Sequence, residues 1–393
     1  MNLCFIPWIN WNSFLHSRPH QLVKEALRRG HRVLYLNPGM EPSFQEGKLE
    51  VWHPLSHPFF YTVKKMLRGE FFRSTAPSNE TLTPMRKWVY RPYEDQNRWT
   101  FFSKFLIEFL IQRKLRAFRD WEAGNIIVFE QPFPLVYQIP YLKKVGYTII
   151  YDVIDDWSAY QDAPNYFRET EPYLLQHADI ITASSRLLYQ KALPYSKNTH
   201  LCPNAADLEH FLTSRRKWDR PKDLPEGHPI AGFFGIMREW FDTDLMREIA
   251  QKRAHFEFCL IGGYSQDIFE RLKDLENIHF LGEKNYSVLP QYLSHFDVTL
   301  IPFKTNELIR STNPIKVYEY LAGGKPVVST PIPELEKMPF VYLSKNPEEF
   351  VGNLDHALET PTDLSEVDAF LENQTWTKRF DVIAKAVVSF NQS

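Results

Sequence analysis

Short apolar runs recur through the second half of the chain, at 230–234, 256–261, 278–281, 298–301, 327–329 and 340–343. Each is followed by a turn and then by helical periodicity. Runs this short, alternating with helices, predict a parallel sheet covered on both faces. Such sheets bind ligands beyond the carboxyl ends of their strands, so Gly235, Gly262-Gly263, Gly282 and Pro302-Phe303 mark the turns where chemistry is expected. The first half repeats the pattern. A strand at 3–7 leads through a loop to a helix at 19–29, which Pro19 opens and Gly30 ends, and strands follow at 32–36, 126–129, 148–151 and 180–183. The pattern predicts an α/β fold of two Rossmann-like, doubly wound domains facing a cleft. The expected division is 1–205, a linker at 206–228 rich in proline and charge, 229–375, and a helix at 376–393 crossing back to the first domain.

Composition narrows the class. With 393 residues, 44% of them apolar and 24% charged, the chain is long enough for two cores. A net charge of −2 gives no global sign of nucleic-acid binding. Cys4, Cys202 and Cys259 are scattered, which argues against a disulfide framework or zinc site and favours a reducing, cytoplasmic setting. The first residues lack a basic leader pattern, and no run is long and apolar enough to predict a transmembrane helix. One stretch stands apart. Residues 52–121 interrupt the alternation, and within 61–120 thirteen basic residues face six acidic ones, interleaved with aromatics such as Phe71, Trp88 and Trp99. Cations with aromatic rings suit contact with an anionic membrane face. The alternative is a core helix at 101–118 with a solvated basic side.

Three segments carry candidate chemistry. In the first, the polar turn Ser311-Thr312-Asn313-Pro314 opens a helix at 315–321 that ends at Gly323-Gly324. A helix N-terminus attracts phosphate; Lys316 adds a cation in the first turn, and Glu319 has the acceptor character to hold ribose hydroxyls. In the second, Asp155 and Asp156 follow the strand at 148–151 and are placed to activate or orient an acceptor hydroxyl. A helix cap is the competing reading for either. A metal is not expected, because the carboxylates lack DxD spacing. The third is the loop after the first strand, where Trp11, Arg18 and His20 are expected to meet an anionic or lipid-phosphate acceptor. The competing reading there is core aromatics and a structural histidine.

The segment 319–328, EYLAGGKPVV, resembles the donor-site motif of GT-B glycosyltransferases, especially retaining family 4. Ala178–Ser184 (ADIITAS), Pro203-Asn204-Ala205-Ala206-Asp207 and Phe234-Gly235 resemble further family segments in the family's order, and 151–157 (YDVIDDW) is similar to a segment of cell-envelope polysaccharide transferases of the teichuronic-acid type. Ser311 stands where the family has a sugar-contacting glutamate, and Ile236 where it has an arginine, with Arg238 the nearest substitute. The resemblance implies transfer of a sugar from a nucleoside-diphosphate donor, UDP foremost, to an envelope glycan or lipid-linked acceptor at the inner membrane face. No cofactor or metal is implied. The donor site would comprise Gly235, Arg238, Ser311, Thr312, Asn313, Lys316 and Glu319. A nucleotide-sugar epimerase of the same architecture and a non-catalytic partner protein share the pattern.

Overall fold

The computed structural model describes residues 1–392 apart from 14–15, 39–42, 53–97, 121–123 and 161–162. Two sheets organise it. The first contains β1 (Asn2–Ile6), β2 (Arg32–Leu36), β3 (Phe44–Glu46), β4 (Leu49–Trp52), β5 (Asn125–Phe129), β6 (Tyr147–Val153), β7 (Ile180–Ala183) and β8 (Thr199–Leu201). Their order is β3-β4-β2-β1-β5-β6-β7-β8, parallel except for the β3–β4 pair. The second contains β9 (Ile230–Phe234), β10 (Glu257–Ile261), β11 (Ile278–Gly282), β12 (Val298–Ile301), β13 (Val327–Ser329) and β14 (Val341–Leu343). It is parallel throughout, in the order β11-β10-β9-β12-β13-β14. β1, β5 and β9 are buried along their whole length. That is why they read as unbroken apolar runs rather than alternating ones. In each sheet the strand order reverses about its first strand, β1 or β9, which sets the switch point of each half.

Helix α1 (Arg18–Arg28) starts at Ser17, whose side chain and that of His20 form a capping box. Its inner face, Leu22, Val23 and Ala26, joins Leu3 and Phe5 of β1 in one core. Helix α2 (Arg98–Phe118) contributes Ile111, Leu115 and Phe118 to the opposite face of the same sheet, while Arg113 and Arg116 are exposed. Over 108–118 Arg113 and Arg116 are therefore on the solvated side of a core helix, while Lys114 pairs with Glu50 of β4; residues 61–97 of the basic, aromatic stretch lie outside the described residues. Helix α3 (Ile315–Ala322) lies in the second domain. Helix α4 (Trp376–Gln392) packs Trp376, Phe380, Ile383 and Val387 against α1 and β1, so the chain's last helix completes the first domain's core. No described helix is long and apolar enough to cross a membrane.

A buried ion pair ties these parts together. Arg18 is 2% exposed and Asp152 fully buried, and the guanidinium donates to both carboxylate oxygens, Nε to Oδ2 at 2.6 Å and Nη2 to Oδ1 at 2.8 Å. Thr182 adds a third hydrogen bond to Asp152 at 2.6 Å. The remaining guanidinium nitrogen donates to the Pro203 carbonyl at 3.2 Å and to Asn204 Oδ1 at 3.1 Å. Asn204 in turn donates from Nδ2 to the Asn313 carbonyl at 2.6 Å, and its own carbonyl accepts from Arg379 of α4. α1, β6, β7, the interdomain crossover, the loop before α3 and α4 thus meet at one guanidinium. Arg18 is committed here, so it is a structural cation rather than the free acceptor-binding one the sequence suggests.

Glu130, directly after β5, is buried beside this pair with neither carboxylate oxygen hydrogen-bonded. Burial, reinforced by the negative Asp152, holds its pKa well above the usual carboxylate range.

Two outcomes follow for stability. Arg18→Ala leaves a carboxylate buried without its counterion and should cost the first domain about 3–5 kcal/mol, read by urea denaturation; a loss below about 1 kcal/mol would remove the pair from this role. Glu130 is raised in the folded state, so the stabilisation from its proton is complete below its ordinary value near 4.5 and fades as pH rises. Glu130→Gln, neutral at every pH, should therefore gain in Tm over the wild type progressively as pH rises above about 5. A difference that stays constant with pH contradicts this.

Candidate active site

A cleft of about 1200 Å³ runs between the carboxyl ends of the two sheets. Its walls carry Trp8 and Asn10 from the turn after β1, Ile154 and Asp155 after β6, Gly235 after β9, Gly263 after β10 and Phe303 after β12. Thr312, Asn313, Lys316 and Glu319, around the start of α3, also line it.

The second-domain wall concentrates positive charge at one glycine. Gly235 has φ +147°, and a Cβ there would stand 3.0 Å from Lys316 Cε and 3.2 Å from Nζ. Only glycine lets the lysine lie across this turn. The Lys316 ammonium is held over the rings of Phe233 and Phe303, at 5.4 and 5.1 Å from their centroids. Burial lowers its pKa to about 8, with Glu319 acting in the opposite sense. Glu319 is buried, and its Oε1 accepts a long hydrogen bond from Tyr286 at 3.5 Å. Burial pushes its pKa up to about 8, against the pull of Lys316. Asn313, 4% exposed, keeps its amide enclosed beside the Tyr318 hydroxyl, and its carbonyl accepts from Asn204. Arg238 is exposed at the same wall. Ser311 is not part of it. It ends the short helix Glu307–Ser311 and turns its hydroxyl inward to the Leu308 carbonyl at 2.8 Å.

The first-domain wall carries the carboxylate. Asp155 Oδ2 accepts from Tyr160 at 3.0 Å, and Oδ1 accepts from Thr312 of the opposite domain at 3.4 Å. Burial raises its pKa to about 6, the two hydroxyl donors opposing that shift. Asp156 does not share this position. Its Oδ1 accepts from Lys191 at 3.0 Å and from Ser158 at 2.8 Å, away from the cleft. Neither Trp11 nor His20 lines the cleft. Trp11 packs edge-on against Tyr35. His20 is buried, and Nε2 donates to the carbonyls of Asn10 and Trp11 while Nδ1 accepts from the Ser17 amide. Burial lowers its pKa to about 4, so it pins the loop as a neutral ring. In their place the structure brings Trp8, Trp157, Tyr160 and Trp240 to the cleft, and Tyr286 to Glu319. Trp240 and Tyr286 belong to no motif; contact with Tyr160 of the other domain reveals the first, and contact with Glu319, distant in sequence, the second.

Residues 229–360 match the family model described as glycosyl transferases group 1. A Bacillus subtilis (strain 168) protein, TuaH, provisionally named a teichuronic acid biosynthesis glycosyltransferase, is 27% identical over 212 residues. That match covers 49% of this chain and 53% of the relative, about half of each. Among solved structures, an alpha,alpha-trehalose 6-phosphate synthase from Burkholderia multivorans superposes with a TM-score of 0.66 at 11% identity, covering 100% of this chain and 99% of that one. Sucrose-phosphate synthase from Thermosynechococcus elongatus gives 0.62 at 13% identity, with 100% of both chains covered. Anabaena Alr3699/HepE, solved with UDP and glucose, gives 0.60 at 14% identity, covering 99% of this chain and all of that one. At these identities the superpositions establish the fold. The chain has the GT-B fold of glycosyltransferases, and residues 229–360 within its second domain match the glycosyl transferases group 1 model.

Proposed function

We propose that the protein transfers a sugar from a nucleoside-diphosphate donor, foremost a UDP-sugar, to a cell-envelope polysaccharide or lipid-linked glycan. The observation that carries this reading is the pairing of Lys316, Gly235 and Glu319 on one wall with Asp155 on the other, joined through Thr312. Bond cleavage leaves a nucleoside diphosphate whose growing charge must be met. The free N–H groups at the start of α3, Lys316 and Arg238 supply fixed positive charge where it develops, which is the main electrostatic requirement of such chemistry. The transfer would then need no metal. Glu319 accepts from the ribose hydroxyls. Asp155, with its pKa near 6, takes the proton of the acceptor hydroxyl. The basic, aromatic stretch within 61–120 suits docking at the inner face of the plasma membrane, where such acceptors are held.

Thermal shift with UDP, GDP, ADP and dTDP and their sugars tests the donor site. At a hundredfold excess over its Kd, the cognate nucleotide should add about 2.7 kcal/mol of stability, and Glu319→Ala should weaken that nucleotide at least tenfold. Absence of stabilisation by every nucleotide, or an unaltered response in the variant, contradicts the reading. Asp155 is active as a base only when ionised. Transfer from a radiolabelled UDP-sugar to envelope-glycan fragments should therefore fall about tenfold per pH unit below about pH 6. Asp155→Asn should lose about 10²–10⁴-fold in rate, together with that acidic limb; retention of the limb would assign it to another group. Turnover that survives EDTA completes the expectation.

A further inference from the structure

Tyr286, in the turn Tyr286–Val288 after β11, reaches from the second domain to the first. Its ring is buried and held on several sides. It stacks on His16, from the loop after β1, at 4.4 Å and 21°, and on His210, from the short helix Leu208–Phe211, at 4.5 Å and 17°. Phe211 meets it edge-on at 5.6 Å and 87°, and His210 Nε2 donates to its backbone carbonyl at 2.9 Å. Close packing on this scale fixes where the hydroxyl points.

That hydroxyl lies in a chain of hydrogen bonds whose polarity is decided at its ends. Asp207, in the crossover, can only accept, so Gln21 of α1 turns its amide nitrogen toward it, and Nε2 donates to Asp207 Oδ2 at 3.2 Å. The other amide hydrogen goes to the Tyr286 oxygen, also at 3.2 Å. Tyr286 therefore accepts from Gln21, and its single proton is left for Glu319 Oε1 at 3.5 Å. Lys24 of α1 supports the same arrangement, with Nζ 3.4 Å from Asp207 Oδ2 and 5.4 Å from the centre of the Tyr286 ring. Among the described residues, no other hydrogen bond reaches the Glu319 carboxylate.

We propose that Gln21 and Tyr286 are positioning residues for the donor: α1 of the first domain orients Glu319 of the second through the Tyr286 hydroxyl, so the ribose is gripped fully only while the two domains are in contact. This rests on the donor reading above and adds to it a residue outside the cleft. Gln21 is buried and does not line the cleft, so its route to a bound nucleotide runs through Tyr286.

The test is calorimetric titration of the full chain with UDP. Tyr286→Phe keeps every ring contact and removes only the hydroxyl, while Gln21→Met keeps the length of the side chain and removes the donors. Each should weaken UDP by about threefold to tenfold, the usual worth of one hydrogen bond. Because both act along one chain, the double variant should be at most about twofold weaker than Tyr286→Phe alone, and neither should add more than that to Glu319→Gln. A pH profile supplies a readout that a loosened fold would not move. The Tyr286 hydroxyl favours the ionised form of Glu319, as do Lys316 of its own helix and Lys24 of α1, while Asp207 opposes it. In Tyr286→Phe the loss of UDP affinity toward acid pH should therefore set in at higher pH than in the wild type. An affinity within about twofold of wild type in either single variant, additive losses in the double variant, or an unmoved profile would overturn the proposal. Should Gln21→Met not fold, Gln21→Glu, which also cannot donate, takes its place. If UDP fails to bind the wild type, or Glu319→Gln leaves its binding unchanged, the donor reading itself fails. Binding that depends on Glu319 but ignores Tyr286 and Gln21 removes only the positioning role.

Discussion

The buried pair of Arg18 and Asp152 is the contact on which the cleft depends. A charged pair removed from water is stable only if its remaining hydrogen-bonding capacity is used, and here it is spent on two further parts of the chain, β7 and the interdomain crossover. Asp152 lies three residues before Asp155 on the same β6 exit, so fixing one carboxylate fixes the path of the other. The guanidinium also reaches the crossover at Pro203 and Asn204, and Asn204 holds the backbone of Asn313, one residue after the Thr312 that meets Asp155. The two walls are therefore set by connected polar contacts and not only by the packing of each domain. Arg379 of α4 closes the circuit from the chain's end.

The walls divide the chemistry by charge and polarity. The second domain supplies cations and helix N–H groups around a glycine, whose missing side chain lets Lys316 lie across the turn. The first supplies a carboxylate with a raised pKa beside the stacked rings of Trp157 and Tyr160. Glu319 and Lys316 are both partly deprived of water in the free protein, and each is shifted toward its neutral form. A bound nucleoside diphosphate would give each a partner, so binding and ionisation are coupled there.

Much of this was legible in the amino-acid order, for a physical reason. Strands buried on both faces carry no polar alternation, so β9, β10 and β12 stand out as apolar runs, and the turns after them mark the cleft. The start of α3 was legible because a polar turn, a lysine and a glutamate at helical spacing form a local pattern. Asp155 was legible from its position after a strand, although nothing local separates it from Asp156, which turns to Lys191. What was illegible is set by contacts distant in sequence. Arg18 read as a free cation at a helix start because its partner lies 134 residues away. His20 read as a candidate ligand, yet two loop carbonyls and an amide take both ring nitrogens. The Tyr160–Trp240 contact exists only when the domains meet. The edge strand β3 and its neighbour β4 are three and four residues long, too short for periodicity to register.

The central claim is that the nucleotide sits on the second-domain wall, opposite Asp155. A crystal structure of the chain soaked with UDP tests it most directly. The account predicts the diphosphate between Gly235, Lys316 and the N-terminus of α3, with the ribose hydroxyls on Glu319. Density for UDP elsewhere in the cleft, or with Lys316 and Glu319 still facing only protein, would contradict it.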